Sequence, residues 1–349
     1  MQFQKMLLYI IFVSIIPANS FAQEENKSQK GNKSEQEIKF SGYGATGFSF
    51  YNRNQLREYN QEVYYEGKFQ ADIKINKDIE AQLDFRGSSE DARVILREFS
   101  VKFEYIKRMK FKAGNIKRPF GIEQLTNQED LYTVDRSYIQ RTIEDLGYGG
   151  RSVSIQAYYN YSKKEKDFPY SYYLSLFKDN SLNNGIAARF SFHASDIAYS
   201  VNYLFQQRGG EVKFTSHGFT SDISYENKNL SGSLEAFYIQ DPVEGIRRKQ
   251  VNLDEMVFAG GAKITGVVSF DVDGDVIKVI EPMILAGFYA PELKETMAHT
   301  IEALVGANLY FHKDVRLRLN ADGLFTKNQF NSKYTTIGSR FVLEIQVRF

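Results

Sequence analysis

The C-terminal stretch of the chain, residues 340–349, reads RFVLEIQVRF and decides the fold class. Apolar side chains occupy one alternating set of positions, and polar or charged side chains occupy most of the other set. A period of two is typical of a β-strand with one apolar face and one polar face. The stretches 78–88 and 314–326 repeat the pattern, so the C-terminal strand is one of a series.

Alternating runs recur from Ile38 to the C-terminus, and most are about 9 to 14 residues long. They cover 38–51, 62–75, 78–88, 94–105, 109–116, 148–162, 170–178, 183–193, 196–207, 216–227, 230–240, 256–267, 276–289, 298–311, 314–326 and 336–349. The sequence therefore predicts about 16 strands, an even number that suits an antiparallel barrel.

The connections between these runs alternate in length. Short turns such as 76–77 and 312–313 alternate with longer segments such as 117–147 and 241–255. A soluble β-sandwich or a β-helix is the alternative, but long strands with charged polar faces and aromatic-rich apolar faces favour a membrane barrel. We predict an all-β fold, a transmembrane antiparallel β-barrel of about 16 strands over residues 38–349, in the bacterial outer membrane.

The N-terminus is predicted to be a targeting segment. Lys5 precedes an apolar run over 6–16, and Ser20-Phe21-Ala22 gives a small-x-small cleavage site. This run is shorter than the roughly 20 residues of a membrane-spanning helix, so we predict a cleaved signal peptide over 1–22. Residues 23–37 are polar and lack hydrophobic spacing, which predicts a disordered lead-in.

Composition excludes several classes of function. The chain has 44 basic and 43 acidic residues, and this balance gives no reason to expect a nucleic-acid partner. It contains no cysteine, which excludes disulfides, thiolate metal sites and a cysteine nucleophile. None of the four histidines has another histidine at metal-ligand spacing, and adjacent carboxylates such as Glu129 and Asp130 are usually solvated. We predict no metal, no cofactor and no enzymatic activity.

The connection 114–147 differs from the others. It runs for about 30 residues without a strand pattern, a length that compact proteins keep when the loop is functional or disordered. Pro119, Phe120, Ile122 and Leu125 lie among several basic residues, which favours an ordered, packed loop. We predict that it is the third external loop and that it folds inward and narrows the lumen.

Three stretches resemble the phosphate-selective porin O and P family: 97–105 (REFSVKFEY), 112–123 (KAGNIKRPFGIE) and 135–137 (DRS). In that family a strand L-R-x-A-Y-V precedes G-x-F/I-K-x-P-F-G-x-E, and an acidic or small residue precedes R-S. This chain carries Phe99 where alanine is common in the family. The resemblance implies a 16-stranded homotrimeric porin whose third loop lines the constriction.

Candidate site residues follow from the resemblance and from strand parity. The resemblance places four basic residues at or beside the constriction: Lys117, Arg118, Arg136 and Arg141. Alternation predicts a basic lumen wall of Lys110, Lys112, Arg316, Arg318 and Arg340. The loop also holds six acidic residues, so basic and acidic groups facing each other would set up a transverse field. A solvated or ion-paired wall charge is the alternative for each residue taken singly.

The predicted function is an outer-membrane porin, a water-filled diffusion channel for small hydrophilic solutes, with small inorganic anions such as phosphate foremost. A sugar- or other substrate-specific porin is one alternative, indicated by Tyr64, Tyr158, Tyr173 and Tyr310 at lumen-parity positions. A closed barrel that serves as an adhesin or surface structural protein is another. The terminal Phe349 resembles the signal recognised by the barrel assembly machinery. The predicted partners are these solutes, outer-membrane lipid, that machinery and further copies of the chain in a homotrimer.

Overall fold

The computed structural model describes residues 37–53, 58–89, 92–163, 167–179, 183–208, 213–251, 253, 255–294, 298–327 and 334–349. The predicted signal peptide and nearly all of the lead-in fall outside the described residues. Glu37, the last residue assigned to the lead-in, begins the first strand.

Strands make up most of the described chain, and they follow one another almost without interruption. The first nine are β1 Glu37–Arg53, β2 Glu58–Lys74, β3 Ile79–Ser88, β4 Arg93–Ile106, β5 Met109–Lys117, β6 Arg151–Tyr159, β7 Tyr170–Lys178, β8 Asn184–Ala194 and β9 Ile197–Arg208. The others are β10 Phe214–Glu226, β11 Leu230–Gln240, β12 Phe258–Val268, β13 Phe270–Asp271, β14 Val279–Ala290, β15 His299–His312, β16 Val315–Lys327 and β17 Thr335–Arg348.

The sheet closes on itself. Successive strands pair antiparallel, and β1 pairs with β17 as well as with β2, so neither end of the sheet has a free edge. The two-residue β13 pairs with β14, as β12 does, and extends the line of β12. Counted this way, the described residues form a closed barrel of 16 strands. The predicted fold class and strand number are confirmed.

The two faces of the wall differ in chemistry as the alternation predicted. In β6 the side chain of Ile155 is 64% exposed, whereas that of the neighbouring Gln156 is 5% exposed. Charged side chains of the polar face are buried inside the barrel: Asp84, Glu98, Arg189, Asp222, Glu235, Lys263, Glu302, Arg316, Arg318 and Glu344. An apolar outer face is stable in contact with hydrocarbon, which has no water to hydrogen-bond polar groups.

The connections define two ends of the barrel. Several turns at one end, such as 107–108 and 195–196, are very short, and we call this the turn end. The opposite end, the loop end, carries the longest connection, residues 118–150 between β5 and β6. Helical pieces are α1 Ile122–Leu125, a 3-10 helix Gln128–Asp130, α2 Tyr138–Asp145 and α3 Pro242–Gln250. None of these helices, in the part of the chain described, is long and apolar enough to cross a membrane.

The C-terminal residue lies at the seam where the barrel closes. The backbone N–H of Phe349 donates to the carbonyl of Gly42 at 3.1 Å, and Gly42 donates in return to the carbonyl of Phe349 at 3.0 Å. The Phe349 side chain is 67% exposed, on the outside of the wall. Its ring lies so close to Gly42 that a Cβ at position 42 would collide with it.

Candidate functional site: the barrel interior

The 118–150 segment is an ordered structure with its own helices. The hydroxyl of Ser137 caps α2 by accepting a hydrogen bond from the backbone N–H of Gln140 at 3.1 Å. Just before α1, Gly121 has φ of 86°, a left-handed conformation that favours glycine. A side chain at position 121 would also collide with the carboxylate of Glu235 on β11. The segment is therefore shaped to lie close against the wall.

One side of the segment packs against the wall through apolar contacts. Ile139 and Ile143 lie on the same face of α2, and the rings of Phe120 and Tyr148 are 5.4 Å apart. These side chains join wall residues in one buried cluster: Phe120, Ile139, Ile143, Leu146, Tyr148, Phe177, Ala187, Leu204, Phe237, Ile239, Ala259 and Tyr289. The wall members belong to β7, β8, β9, β11, β12 and β14, so this half of the barrel holds α2 by hydrophobic burial.

The opposite side of the segment is held by polar contacts. Arg318 on β16 donates to the carbonyl of Thr133 at 2.9 Å, and its guanidinium also binds Glu344 on β17. Asn320 accepts a hydrogen bond from the backbone N–H of Val134 at 2.7 Å. These wall groups satisfy backbone donors and acceptors of a stretch that has no strand partner.

A second polar anchor is centred on Lys263 of β12. Its ammonium group binds the carboxylate of Glu123 in α1 and lies 3.1 Å from the carboxylate of Glu235. Ser137 donates to Glu123 through both its backbone N–H and its hydroxyl, each at 2.7 Å. Burial alone would raise the pKa of Glu123, but Lys263 and Ser137 outweigh it and hold that pKa below its ordinary value.

Glu302 on β15 holds the start of α2. Its carboxylate accepts hydrogen bonds from the backbone N–H groups of Tyr138 at 2.7 Å and Ile139 at 3.4 Å. A carboxylate is favourable at this position, because the first N–H groups of a helix lack partners within it and carry partial positive charge. The wall thus fixes both the position and the orientation of α2.

A large cavity of about 1130 Å³ remains between the segment and the wall formed by β1–β4, β16 and β17. Its charged lining residues are Glu62, Glu66, Arg86, Arg97, Asp135, Arg136, Arg141, Glu144, Asp322, Arg340 and Glu344. Several of these neutralise one another. Arg86 pairs with Glu66, and Arg340 binds both Asp135 and Asp322.

Glu344 pairs with Arg318, and the other five charges of this cavity lack an ion-pair partner among the described residues. Arg136 donates only to backbone carbonyls, those of Glu123 and Thr126. The guanidinium groups of Arg97 and Arg141 pair with no described side chain. The carboxylates of Glu62 and Glu144 are likewise free within the described part of the chain. We call these five groups, Arg97, Arg136, Arg141, Glu62 and Glu144, the free charges of the cavity.

A smaller cavity of about 350 Å³ lies on the turn-end side of the segment. Hydroxyl groups line much of it: Thr126, Tyr132, Thr133, Ser224, Tyr225, Ser231, Ser233 and Thr265. Asp130 and Glu226 add carboxylates. No residue lines both cavities, and the stretch that contains α1 and the 3-10 helix lies between them. The stretch contributes lining residues to both cavities, Gln128 to the large one and Thr126 and Asp130 to the smaller one.

The four residues predicted at the constriction fall into two pairs. Arg136 and Arg141 line the large cavity. Lys117 instead donates to the carbonyls of Leu125 and Thr126 at 2.9 and 3.0 Å, and so supports the end of α1. Arg118 is only 4% exposed and binds Asp179 at 3.0 Å.

The five residues predicted as a basic wall all have partners. Lys110 binds Glu104 at 2.8 Å and Lys112 binds Glu98 at 2.6 Å. Arg316 donates to Gln346 and to the backbone of the segment, Arg318 pairs with Glu344, and Arg340 pairs with two aspartates. These five residues have the lumen-facing parity predicted for them, but each cationic group binds a neighbouring carboxylate, amide or carbonyl oxygen. Their role in ion passage stays a prediction.

Arg97 is the cavity residue that alternation missed. Strict parity groups Arg97 with the outward-facing Phe99. In the structure Asp84 is opposite Glu98 and Phe85 is opposite Leu96, so Arg97 is the extra residue of a β-bulge. A bulge interrupts the alternation and redirects side chains beside it. Its sequence signal was weak, because the neighbouring Val94-Ile95-Leu96 run breaks the period of two.

No group of three or more histidine, aspartate or glutamate side chains in the described ranges is arranged to hold a metal ion. The interior instead offers hydrogen-bond donors, acceptors and opposed charges around spaces large enough for water and small solutes.

Comparison with solved structures identifies the architecture. The anion-selective porin from Comamonas acidovorans matches with a TM-score of 0.61 at 12% identity, covering 90% of this chain and 99% of that one. The outer membrane channel DcaP of Acinetobacter baumannii gives 0.63 at 10% identity, covering 91% and 98%. The trimer form of in-vitro folded OmpT, an outer membrane protein of Vibrio cholerae, gives 0.59 at 10% identity, covering 90% and 99%. No protein family model and no curated protein matches the chain.

Fold and surface chemistry together define the class of protein. The chain is a 16-stranded β-barrel of the bacterial outer membrane, with an apolar outer face and a charged interior. Its structural neighbours include outer-membrane porins. Identities of 10 to 12% show a shared fold and leave the solute to be argued from the interior of this chain.

Proposed function

We propose that this protein is a porin, a diffusion channel for small hydrophilic solutes, with a weak preference for small anions such as phosphate. The observation that carries the proposal is the large charged cavity inside a closed 16-stranded barrel. Barrels of this size enclose more space than their own wall side chains fill. The 118–150 segment would act as the inward-folded third loop, and its turn-end half would form the constriction.

The anion preference rests on the free charges. Three arginines, Arg97, Arg136 and Arg141, stand against the carboxylates of Glu62 and Glu144. Arg340 binds two aspartates, and the extra negative charge of that group equals this excess in the formal count. The preference therefore rests on the groups that have no ion-pair partner, three positive and two negative, and is weak rather than strict; phosphate remains the anion suggested by the family resemblance.

Planar-bilayer conductance tests the proposal directly. A porin should give stepwise, ohmic openings, and added phosphate should compete with chloride current more strongly than it would in bulk solution. A folded barrel that inserts without any conductance would refute the channel and support the closed surface protein instead.

A sugar-specific porin is the second candidate. The rings of Tyr158 and Tyr173 inside the barrel are stacked at 5.7 Å with 9° between their planes, a surface on which a sugar ring could slide. Competition of the ion current by a maltodextrin, compared with phosphate, separates the two candidates.

For assembly, we propose a homotrimer, supported by the trimer form of the structurally similar OmpT. Chemical cross-linking of the purified barrel would test it.

A further inference from the structure

The free charges of the large cavity have opposite signs, yet they do not pair with one another. Arg141 and Glu144 lie three residues apart on α2, a spacing at which side chains can meet on a helix surface. The structure shows no ion pair between them. Arg97 on β4 and Glu62 on β2 are also unpaired within the described residues, although they line the same cavity.

Charges of opposite sign that share a cavity and remain apart can both be satisfied by one solute that carries both signs. A guanidinium binds a carboxylate through two parallel N–H donors, and a carboxylate accepts from an ammonium group. A solute with only one charge meets one favourable set and one unfavourable set. A zwitterion can turn so that each of its ends faces the matching set.

We propose that the channel favours zwitterionic solutes of amino-acid size, which bind between the free arginines and the free carboxylates of the large cavity. The inference rests on the proposed channel function and adds a substrate class to it. The cavity, at about 1130 Å³, exceeds the size of such a solute, so binding is transient and assists passage rather than blocking it. Tyr51, Tyr64 and Tyr138 add further hydrogen-bonding groups to the lining.

Liposome swelling with isomeric solutes tests the proposal at pH 7. β-Alanine is a zwitterion and lactamide is its uncharged isomer, so size is matched and net charge is zero in both. The wild-type barrel should admit β-alanine about threefold faster than lactamide, the effect of a weak solvent-exposed ion-pair contact worth ~0.6 kcal/mol. Equal rates, or faster entry of lactamide, in a barrel that conducts salt would overturn the inference.

Two variants separate a paired site from charges that are merely solvated. Glu62→Gln with Glu144→Gln should lower the β-alanine to lactamide ratio toward one and strengthen anion selectivity. Arg97→Gln with Arg141→Gln should lower the same ratio and weaken anion selectivity. A control pair outside both cavities, Arg247→Gln with Glu255→Gln, should change neither quantity.

Each result has one meaning. If neither cavity variant lowers the ratio, or if the control lowers it equally, the site does not lie at the free charges. Swelling with neither solute and no conductance, in a barrel whose β-sheet circular dichroism and heat-modifiable mobility are intact, would refute the channel itself. Conductance with no zwitterion advantage would refute only this inference.

Discussion

Reversing the charge of Arg136 and Arg141 together should convert a weakly anion-selective channel into a cation-selective one. Both residues line the large cavity, and Arg141 is exposed on α2 without a partner among the described residues. Arg136 also holds two backbone carbonyls of the segment. The single change Arg141→Glu therefore reports charge alone, whereas the double change Arg136→Glu with Arg141→Glu gives the larger effect.

The magnitude follows from the size of the cavity. A sphere of 1130 Å³ has a radius of about 6.5 Å, and at that distance in water one unit charge contributes ~0.6 kcal/mol before screening. A Debye length of about 8 Å reduces this to ~0.3 kcal/mol. The double change alters the charge by four units, so an anion loses about 1 kcal/mol and a cation gains as much.

The cation-to-anion permeability ratio should then rise roughly 30-fold for the double change and roughly fivefold for Arg141→Glu alone. The assay is the zero-current potential across a planar bilayer in a salt gradient of about tenfold, with concentrations near the roughly 0.15 M at which the Debye length is about 8 Å. The control is Arg247→Glu with Arg248→Glu on α3, residues that line neither cavity. If the cavity pair shifts the potential no more than the α3 pair, Arg136 and Arg141 do not line the ion path.

Three further outcomes follow from the same structure. Deleting Phe349 removes two backbone hydrogen bonds at the closing seam, and replacing it with a charged residue puts a charge on the outer face of the wall, so either change should reduce the amount of folded barrel in the outer membrane; quantitative heat-modifiability assays measure this, and unchanged levels would contradict it. Protease added to intact cells should cut within 241–255 and spare 117–147; the reverse order of cleavage would overturn the inward position of that loop. Acid should loosen the attachment of α1 to the wall. Because the pKa of Glu123 is lowered in the folded protein, its ion pair with Lys263 stabilises that attachment fully above the ordinary glutamate pKa of about 4.3, and this stabilisation is lost as the pH falls through the lower pKa of the folded state. Conductance noise should therefore rise in acid in the wild type, whereas Glu123→Gln should be noisy at all pH values.

Alternation alone determined the wall of this barrel. Residues 340–348 of the C-terminal run lie in β17, with Phe341, Ile345 and Val347 exposed on the outer face, and Glu344 and Gln346 are buried inside as their parity requires. Strand parity works because lipid outside and water or polar groups inside impose opposite demands on neighbouring side chains. Strand parity therefore predicted the strand number and, with it, the unusual length of the β5–β6 connection. The ordered character of that connection was predicted from apolar residues within it, such as Phe120 and Leu125.

Only the tertiary structure determined which charged side chains of the interior have partners and which remain unpaired. Sequence could count Arg316, Arg318 and Arg340 as basic wall residues, but it could not show that each is used by a local partner. The bulge at Arg97 reversed the facing predicted by parity, and the pairing of β3 with β4 is what revealed it. Which charges remain free depends on contacts between residues far apart in the chain, and local patterns carry no record of those distances.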